Sequence, residues 1–384
     1  SLDFNSTKSY VDPLRTDYKE YGYDGELETL LTTGEGFKPI GATYDANVST
    51  NYFEGTFDGD YNVIYNLYQN FEDSDNTSII GFFSTNAGVI ENLIIEDANI
   101  SSTTNNMHIL AGVICGRNTD TIINCGSSGN LKIIDNGVKS IYGAGITGQA
   151  MGSVERSFSK TNIEVESNNA SSINVGGIAG ALTEDYIRSC YNTGTINIDL
   201  NSDVAIVVGG ISGYNTKTIE NSYNSGKIEL KVYHELTKSI VMGNIVASNN
   251  NGIINNCFNV AEIKVESNID ISNNQNNIYI SNILGNSNYG SMNDCYNTGI
   301  LNIQNKDFNF IGQIVGNAYE TILNNCFGIM EEDTEAIGNQ NNTTINNVTL
   351  IEKNEVTDIL QIIGEEFKND SKNINHGYPV LNWE

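Results

Sequence analysis

Apolar and polar residues alternate along most of the chain in short runs, which end in glycine, asparagine, serine or threonine. Ile196, Ile198 and Leu200 show the alternation in one run, and Ile228 and Leu230 repeat it in another. A period of about two is typical of β-strands with one buried face, whereas an amphipathic helix needs a period of about 3.6. The pattern therefore predicts an all-β chain of many short strands separated by turns.

The pattern itself repeats along the chain. The clearest copies start at Val175 and Val208, and both read Val-Gly-Gly-Ile. Aligning on the apolar residue after the glycine pair gives a column whose members lie 31 to 38 residues apart: Phe82, Val113, Ile146, Ile178, Ile211, Ile245, Ile283 and Ile314. A fixed period of this size indicates a repeat architecture.

Three further columns follow in each copy. The first contains Leu93, Cys125, Ser157, Cys190, Ser222, Cys257, Cys295 and Cys326. An aromatic residue comes next in six copies: Phe158, Tyr191, Tyr223, Phe258, Tyr296 and Phe327. Asparagine then follows in four: Asn192, Asn224, Asn259 and Asn297.

One such copy cannot bury its apolar side alone, so the copies must stack. Stacking coils at about 4.8 Å pairs their backbone groups and aligns like residues with like. The sequence therefore predicts a parallel β-helix, or β-solenoid, of about eight coils. Strand twist and crossover handedness predict a right-handed course. A β-propeller or a leucine-rich horseshoe would need a different repeat length or signature.

The repeat resembles the GLUG repeat of bacterial surface and secreted proteins. The motifs GGIAG and GGISG follow Val175 and Val208, and residues 190–194 and 295–299 both read CYNTG. The stretch FKPIG from Phe37 and the ending GYPVLNWE from Gly377 resemble segments that flank such repeats. GLUG repeats also occur beside immunoglobulin A1-type zinc metallopeptidases. The resemblance covers residues 37 to 384 and implies a surface location and an extended solenoid rather than a defined activity.

Both ends of the chain deviate from the repeat, so we expect residues 1–75 and 347–384 to cap a solenoid of residues 76–346. Asp58-Gly59 predicts a hairpin turn between strands that contain Phe57, Val63 and Leu67. A C-terminal helix is predicted from five residues that share one helical face: Val356, Ile359, Leu360, Ile363 and Phe367. The tail after it, with Tyr378, Leu381 and Trp383, is expected to cover the last coil. The longest insertion, residues 267–277, predicts a protruding loop.

The net charge of the chain limits the kinds of molecule that it can bind. The chain has 19 Lys and Arg residues against 47 Asp and Glu, a formal charge of -28. Such a field disfavours nucleic acid and anionic membranes. No apolar run reaches the roughly 18 residues that a membrane-spanning helix needs. The first residues, Ser-Leu-Asp-Phe, lack a signal peptide, and we interpret them as the mature or trimmed end of an exported protein.

The sequence offers weak candidates for metal sites. Asp58, Asp60 and Asn62 have the alternate spacing of a calcium loop, but Val63 and Gln69 stand where that loop needs glycine and glutamate. His234-Glu235 begins an HExxH-like string in which Lys238 replaces the second histidine. His108 and His376 are isolated. The acidic run Glu331, Glu332, Asp333 and Glu335 is expected to be a solvated loop or a weak cation site. The stacked cysteines are expected to be buried free thiols, because parallel Cβ vectors do not suit a disulfide.

No constellation selects a catalytic site. Polysaccharide hydrolases and lyases are also built on parallel β-helices, and they need paired carboxylates or a basic residue with calcium. The four arginines are scattered: Arg15, Arg117, Arg156 and Arg188. Arg156 and Arg188 occupy neighbouring positions of adjacent copies and are expected to lie close together. The sequence names no catalytic, cofactor-binding or metal-binding residue.

These observations favour a non-catalytic binding or adhesion module, secreted or on the cell surface of a Gram-positive bacterium. Its expected partner is a host or cell-surface glycan or protein, and the isolated fragment is expected to be monomeric. A carbohydrate-active β-helix enzyme and a purely structural spacer are the alternatives.

Overall fold

The computed structural model describes residues 2–3, 36–41, 52–72, 79–104, 108–137, 139–235, 237–267, 278–304, 310–332, 334–352, 363, 365–372 and 379–383. Over these residues the chain is a parallel β-solenoid of about eight turns, and none of them is helical. The predicted fold class is thereby confirmed. Three parallel sheets run along the solenoid axis, because successive coils add strands to the same sheets.

Two of the sheets contain at most one strand from each coil. Among the described residues the first has eight strands: Ile79–Ile80, His108–Gly112, Ser140–Ala144, Ser172–Gly176, Ala205–Gly209, Ile240–Gly243, Ile278–Ser281 and Phe310–Gly312. The second, over the same described part, has nine: Phe83–Asn86, Cys115–Asn118, Thr147–Ala150, Ala179–Leu182, Ser212–Asn215, Val246–Asn250, Leu284–Asn288, Val315–Tyr319 and Ile337–Asn341.

The third sheet follows the remaining two sides of each coil. Its short strands form one side, and three of them continue around the corner: Thr56–Asp58, Val89–Glu91, Thr121–Ile123, Val154–Glu155, Tyr186–Arg188, Thr218–Glu220, Ile253–Asn255, Ser291–Asn297, Ile322–Ile329 and Thr344–Ile351. Its other strands are Leu2–Asp3, Val63–Tyr65, Tyr68–Glu72, Ile94–Thr104, Gly126–Asp135, Phe158–Ser167, Tyr191–Asn192, Ile196–Leu200, Tyr223–Asn224, Ile228–Val232, Phe258–Asn259, Ile263–Ser267 and Leu301–Ile303.

The coils lie in the register that the repeat predicts. The Ile178 N–H donates to the Ile211 carbonyl at 3.0 Å, and the Ile211 N–H donates to the Ile245 carbonyl at 3.0 Å. Tyr191 pairs directly with Tyr223 across the same step. The aligned column that starts at Phe82 and the cysteine-containing column are buried throughout. Burial of these two columns supplies the continuous core that one coil lacks.

Stacked aromatic rings form a ladder along one edge of the core. From Phe158 through Tyr191, Tyr223 and Phe258 to Tyr296, successive ring centroids lie 5.3, 5.1, 4.7 and 5.2 Å apart. The planes are tilted by only 6 to 11°. The coil spacing imposes this stacking, since equivalent residues of neighbouring coils repeat at about 4.8 Å.

Buried asparagines form a second ladder inside the solenoid. The Asn192 Nδ2 donates to Asn224 Oδ1 at 2.9 Å, and the Asn224 Nδ2 donates to Asn244 Oδ1 at 3.2 Å. An amide can do this because it carries both donors and an acceptor. The ladder also explains the repeated glycine pair, since a Cβ on Gly210 would lie 2.4 Å from Asn224 Cγ.

The N-terminal hairpin prediction is wrong. Phe57 pairs in parallel with Ile90 of the next coil, and Val63 pairs in parallel with Ile94. The segment is therefore a solenoid coil, because its strands lie about one repeat before those of the following copy. The proposed domain boundaries at residues 75/76 and 346/347 stay predictions.

The C-terminal tail differs from the sequence expectation. Most of the predicted helix lies outside the described residues, and Phe367 belongs to a strand, Phe367–Lys368, which pairs antiparallel with Val380–Leu381. The predicted loop at residues 267–277 also lies almost entirely outside the described residues.

Candidate ligand-binding face

The short strands create one narrow outer face of the solenoid. In each strand the middle residue points into the core, as Ile187 and Ile219 do, and its two neighbours point outward. We call these outward residues the outer strip. Its two columns are Tyr186, Thr218, Ile253, Ser291 and Ile322, and Glu155, Arg188, Glu220, Asn255, Asn293 and Asn324.

Left-handed backbone bounds the strip on its C-terminal edge. Nine residues in successive coils have φ between +45 and +56°: Asn92, Asn124, Arg156, Ser189, Asn221, Asn256, Asp294, Asn325 and Asn347. Asparagine tolerates this conformation better than other residues with a Cβ. Each coil therefore turns sharply at the same place, and the strip keeps a constant width.

Residues of opposite charge alternate in one segment of the outer strip. Glu155, Arg188 and Glu220 lie in register in three successive coils. The Arg188 Nε donates to Glu220 Oε1 at 2.5 Å, which raises the arginine pKa. Arg156 Nη1 lies 2.9 Å from Glu155 Oε1. Two arginines and two glutamates thus balance in this patch, which we call the charged cluster.

Tyr186 completes the charged cluster. Its hydroxyl donates to Glu155 Oε2 at 3.3 Å, and its ring lies 4.5 Å beneath the Arg188 guanidinium. Burial, and then the Glu155 charge, raise the pKa of this tyrosine. Its hydroxyl is therefore a protonated donor at neutral pH.

Trp383 lies beside the aromatic ladder, at the C-terminal edge of the outer strip. Its ring centroid is 6.2 Å from those of Tyr191 and Tyr223, and its Nε1 donates to the Asn221 carbonyl at 3.0 Å. Asn221 directly follows Glu220 of the cluster. Although anchored in this way, the indole keeps 40% of its surface exposed. A rigid, half-exposed aromatic surface beside polar side chains is a common feature of ligand sites.

The tail reaches this position along the side of the solenoid. Phe367 packs edge-on against Phe258 and Tyr296, and the Tyr296 hydroxyl donates to the Pro379 carbonyl. Leu381 is buried in the same cluster. The expectation that Trp383 covers the last coil is therefore wrong, because the tail packs its apolar side chains along the aromatic ladder instead.

The two arginines singled out by the sequence are neighbours. The Arg156 N–H donates to the Arg188 carbonyl at 3.0 Å, and the two guanidinium groups bind different glutamates. They do not form an anion clamp. We did not assign Glu155, Tyr186, Glu220 or Trp383 to a binding site from the sequence, although comparing the outward columns of the repeat would have grouped the first three.

The other candidate residues have local structural partners. The Asp58 carboxylate accepts hydrogen bonds from the Asp60 N–H at 2.8 Å and Asn92 Nδ2 at 2.9 Å, which lower its pKa. His234 Nδ1 lies 2.7 Å from the Glu235 carbonyl. In the acidic run, Glu331 accepts a hydrogen bond from Gln313 Nε2 at 3.0 Å. Among the described residues, no three His, Cys, Asp or Glu side chains are grouped to hold a metal ion.

All six cysteines are free and buried, as the stacked column predicts for five of them. Burial raises the pKa of Cys115, Cys125 and Cys190 to about 12. It also raises the pKa of Cys295 and Cys326 well above the ordinary value. The thiolate is the reactive form, so these residues act as small core side chains.

No protein-family model and no curated protein matches the chain. A search of solved structures finds the crystal structure of a candidate immunoglobulin A1 protease from Bacteroides ovatus, with a TM-score of 0.42 and 16% identity. That match covers 92% of this chain and 83% of the other. Over the described part of the chain, no helix has the length and apolar character needed to cross a membrane.

Proposed function

We propose that the chain is a non-catalytic binding module that holds a glycan on the outer strip. The observation that carries this proposal is the half-exposed Trp383, which is bonded to Asn221, the residue after Glu220 of the charged cluster. An aromatic face packs well against the C–H face of a sugar ring. Paired arginine and glutamate side chains, together with the Tyr186 hydroxyl, offer donors and acceptors for sugar hydroxyls.

Charge indicates what kind of glycan the strip accepts. The charged cluster is balanced, while the whole chain has a formal charge of -28. A polyanionic glycan would meet long-range repulsion without a local excess of cations to offset it. A neutral glycan, which binds through hydrogen bonds and ring stacking, fits the strip better.

The resemblance to GLUG-repeat proteins supports a proposed biological setting, although no protein-family model matches the chain. We propose that the module acts in adhesion outside the cell, on the surface of a Gram-positive bacterium or secreted from it. A β-solenoid suits either a binding or a structural role, because coils in register hold side chains at fixed spacing. The exposed aromatic and polar groups on one face favour binding over a purely structural spacer.

Binding to a glycan array and to immobilised host-matrix proteins at physiological salt tests the proposal. We expect the wild type to bind neutral glycans, and Trp383→Ala and Arg188→Ala to weaken binding about tenfold or more, the effect of a central contact. Tyr233→Ala, which removes an exposed tyrosine elsewhere, is the matched control and should bind normally. A wild type that binds no glycan would contradict the proposal.

A turnover assay separates binding from catalysis. Glu155 and Glu220 lie two coils apart, roughly 10 Å by the coil spacing, and each accepts from an arginine. We expect no release of reducing ends from any glycan that binds. Release that is lost in Glu155→Gln or Glu220→Gln would instead assign a polysaccharide-cleaving enzyme.

A further inference from the structure

A second exposed aromatic group lies toward the other end of the outer strip. Tyr289 and Tyr319 occupy adjacent coils, with ring centroids 5.3 Å apart and planes at 84°. Tyr289 is 53% exposed. Two exposed isoleucines of the strip, Ile253 and Ile322, lie one coil to either side of Ser291. We call Tyr289, Tyr319 and Glu320 the tyrosine corner.

The backbone at this corner is strained. A second left-handed column bounds the strip on its N-terminal edge and contains Asn251, Tyr289, Glu320 and Asn342, with φ of +60, +58, +45 and +51°. The Tyr289 N–H donates to the Tyr319 carbonyl, and the Glu320 N–H donates to the Asn341 carbonyl, so the column is continuous. Asparagine occupies both outer positions. A tyrosine in this conformation costs free energy that asparagine would avoid, and such strain clusters at functional positions.

The polar groups of the corner interact with the Tyr319 hydroxyl. Hydrogen bonds to Glu320 and Tyr289 raise the pKa of Tyr319 to about 12. Amide side chains lie on the two adjacent strands that lead into the corner, where Asn317 Nδ2 donates to Asn286 Oδ1 at 2.7 Å. The corner therefore combines an exposed ring, a carboxylate, a tyrosine hydroxyl and amides.

Trp383 and the corner lie on opposite edges of the outer strip, a short distance apart along the solenoid axis. Trp383 is bonded to Asn221, the residue after Glu220, and register pairs connect Glu220 through Asn255 to Asn293 in the coil of Tyr289, which is two coil steps. Two steps span roughly 10 Å along the axis at the coil spacing. An extended neutral oligosaccharide has sugar rings at an interval similar to the coil spacing, so one chain of at least three rings that crosses the strip obliquely can reach both places.

We propose that the tyrosine corner is a second saccharide subsite and that the outer strip takes one extended neutral oligosaccharide, with a ring on Trp383 and another on Tyr289. In this arrangement Glu320 accepts hydrogen bonds from the hydroxyls of the second ring. The inference rests on the proposed glycan-binding function and adds its ligand class and the direction in which the ligand lies.

Calorimetric titration with cello-oligosaccharides and chito-oligosaccharides of two to eight rings tests the proposal. For the wild type we expect affinity to rise steeply once the chain is long enough to reach both subsites. Tyr289→Asn should abolish that rise and weaken binding of six-ring ligands about tenfold. It should also raise the denaturant midpoint, because asparagine relieves the strain.

Tyr61→Asn is the matched control, since Tyr61 is also exposed and left-handed but belongs to the first coils. It should raise stability and leave binding unchanged. If the wild type binds long oligosaccharides, Trp383→Ala weakens them and Tyr289→Asn does not, the second subsite is refuted while the proposed function stands. If the wild type binds none of the oligosaccharides, both fall.

Discussion

Asparagine occupies six of the nine left-handed positions along the C-terminal edge of the outer strip. Side-chain bonds also connect them, as where Asn124 Nδ2 donates to Asn92 Oδ1 at 2.9 Å and Asn256 Nδ2 donates to Asn221 Oδ1 at 3.0 Å. The other three positions are Arg156, Ser189 and Asp294. Arg156 and Ser189 border the charged cluster, so the backbone is less stable there, at the place where we locate binding.

Replacing Ser189 by asparagine should stabilise the protein. Asn favours the left-handed conformation and extends the side-chain ladder toward Asn221, so we expect the free energy of unfolding to rise by about 0.5 to 1 kcal/mol. Ser189→Val, which is β-branched, should lower it by about 1 to 2 kcal/mol. Urea unfolding measures both. A destabilising asparagine would contradict the account of this corner.

The buried thiols predict a definite chemical behaviour. Because burial raises the pKa of Cys115, Cys125 and Cys190 to about 12, almost no thiolate forms at pH 8. We expect a thiol-specific disulfide reagent to label none of the six cysteines in the native protein and all six after denaturation. Rapid labelling of any native thiol would show that its column is accessible.

The same thiols make stability depend on alkaline pH. In the folded protein the pKa of these thiols lies above the ordinary value of 9.0, so their contribution to the free energy of unfolding is fully present below pH 9. Above pH 9 the unfolded chain loses these protons first, and stability falls as the pH rises toward about 12. Urea midpoints measured from pH 8 to 11 should decrease, and Cys190→Ser should reduce the slope of that decrease.

At the scale of the element, the asparagine ladder forms a connected hydrogen-bond network in the core. Asn224 accepts from Asn192 and from the Gly226 N–H, and it donates to the Gly226 carbonyl and to Asn244. All three asparagine side chains are buried. Removing one amide leaves donors and acceptors on the adjacent coils without partners or water.

Asn224→Ala should therefore lower the free energy of unfolding by about 2 to 4 kcal/mol, measured by urea denaturation. The matched control is Asn197→Ala on the outward face of a neighbouring strand, which should change it by less than about 0.5 kcal/mol. Similar values for the two variants would show that the ladder contributes no more than a surface amide.

The elements that repeat were predictable from sequence, and those that do not repeat were not. The register of the coils could be predicted from Ile178, Ile211 and the aromatic column, because stacking places equivalent residues of successive coils next to each other. Asp58-Gly59 has hairpin chemistry, but the strands on either side of it pair in parallel with the next coil and not with each other. Trp383 has no repeat partner, so its place beside Asn221 depends on tail packing that no local pattern encodes.

At the scale of the whole molecule, the solenoid aligns residues that repeat in the sequence into columns of side chains along its axis. Outward residues about one repeat apart become neighbours, so the charged cluster and the tyrosine corner lie on one strip although they are distant in sequence. The formal charge of the chain is -28, so long-range repulsion disfavours anionic partners. Recognition is therefore expected along the axis rather than in a closed pocket.

The most direct test of this account is an NMR titration with cellohexaose that maps which backbone amides shift. We predict that the largest shifts belong to the outer strip and its edges, from Glu155 and Arg188 through Asn221 to Tyr289 and Glu320. Shifts confined to the other sheets, or no shifts on addition of any neutral oligosaccharide, would contradict the account.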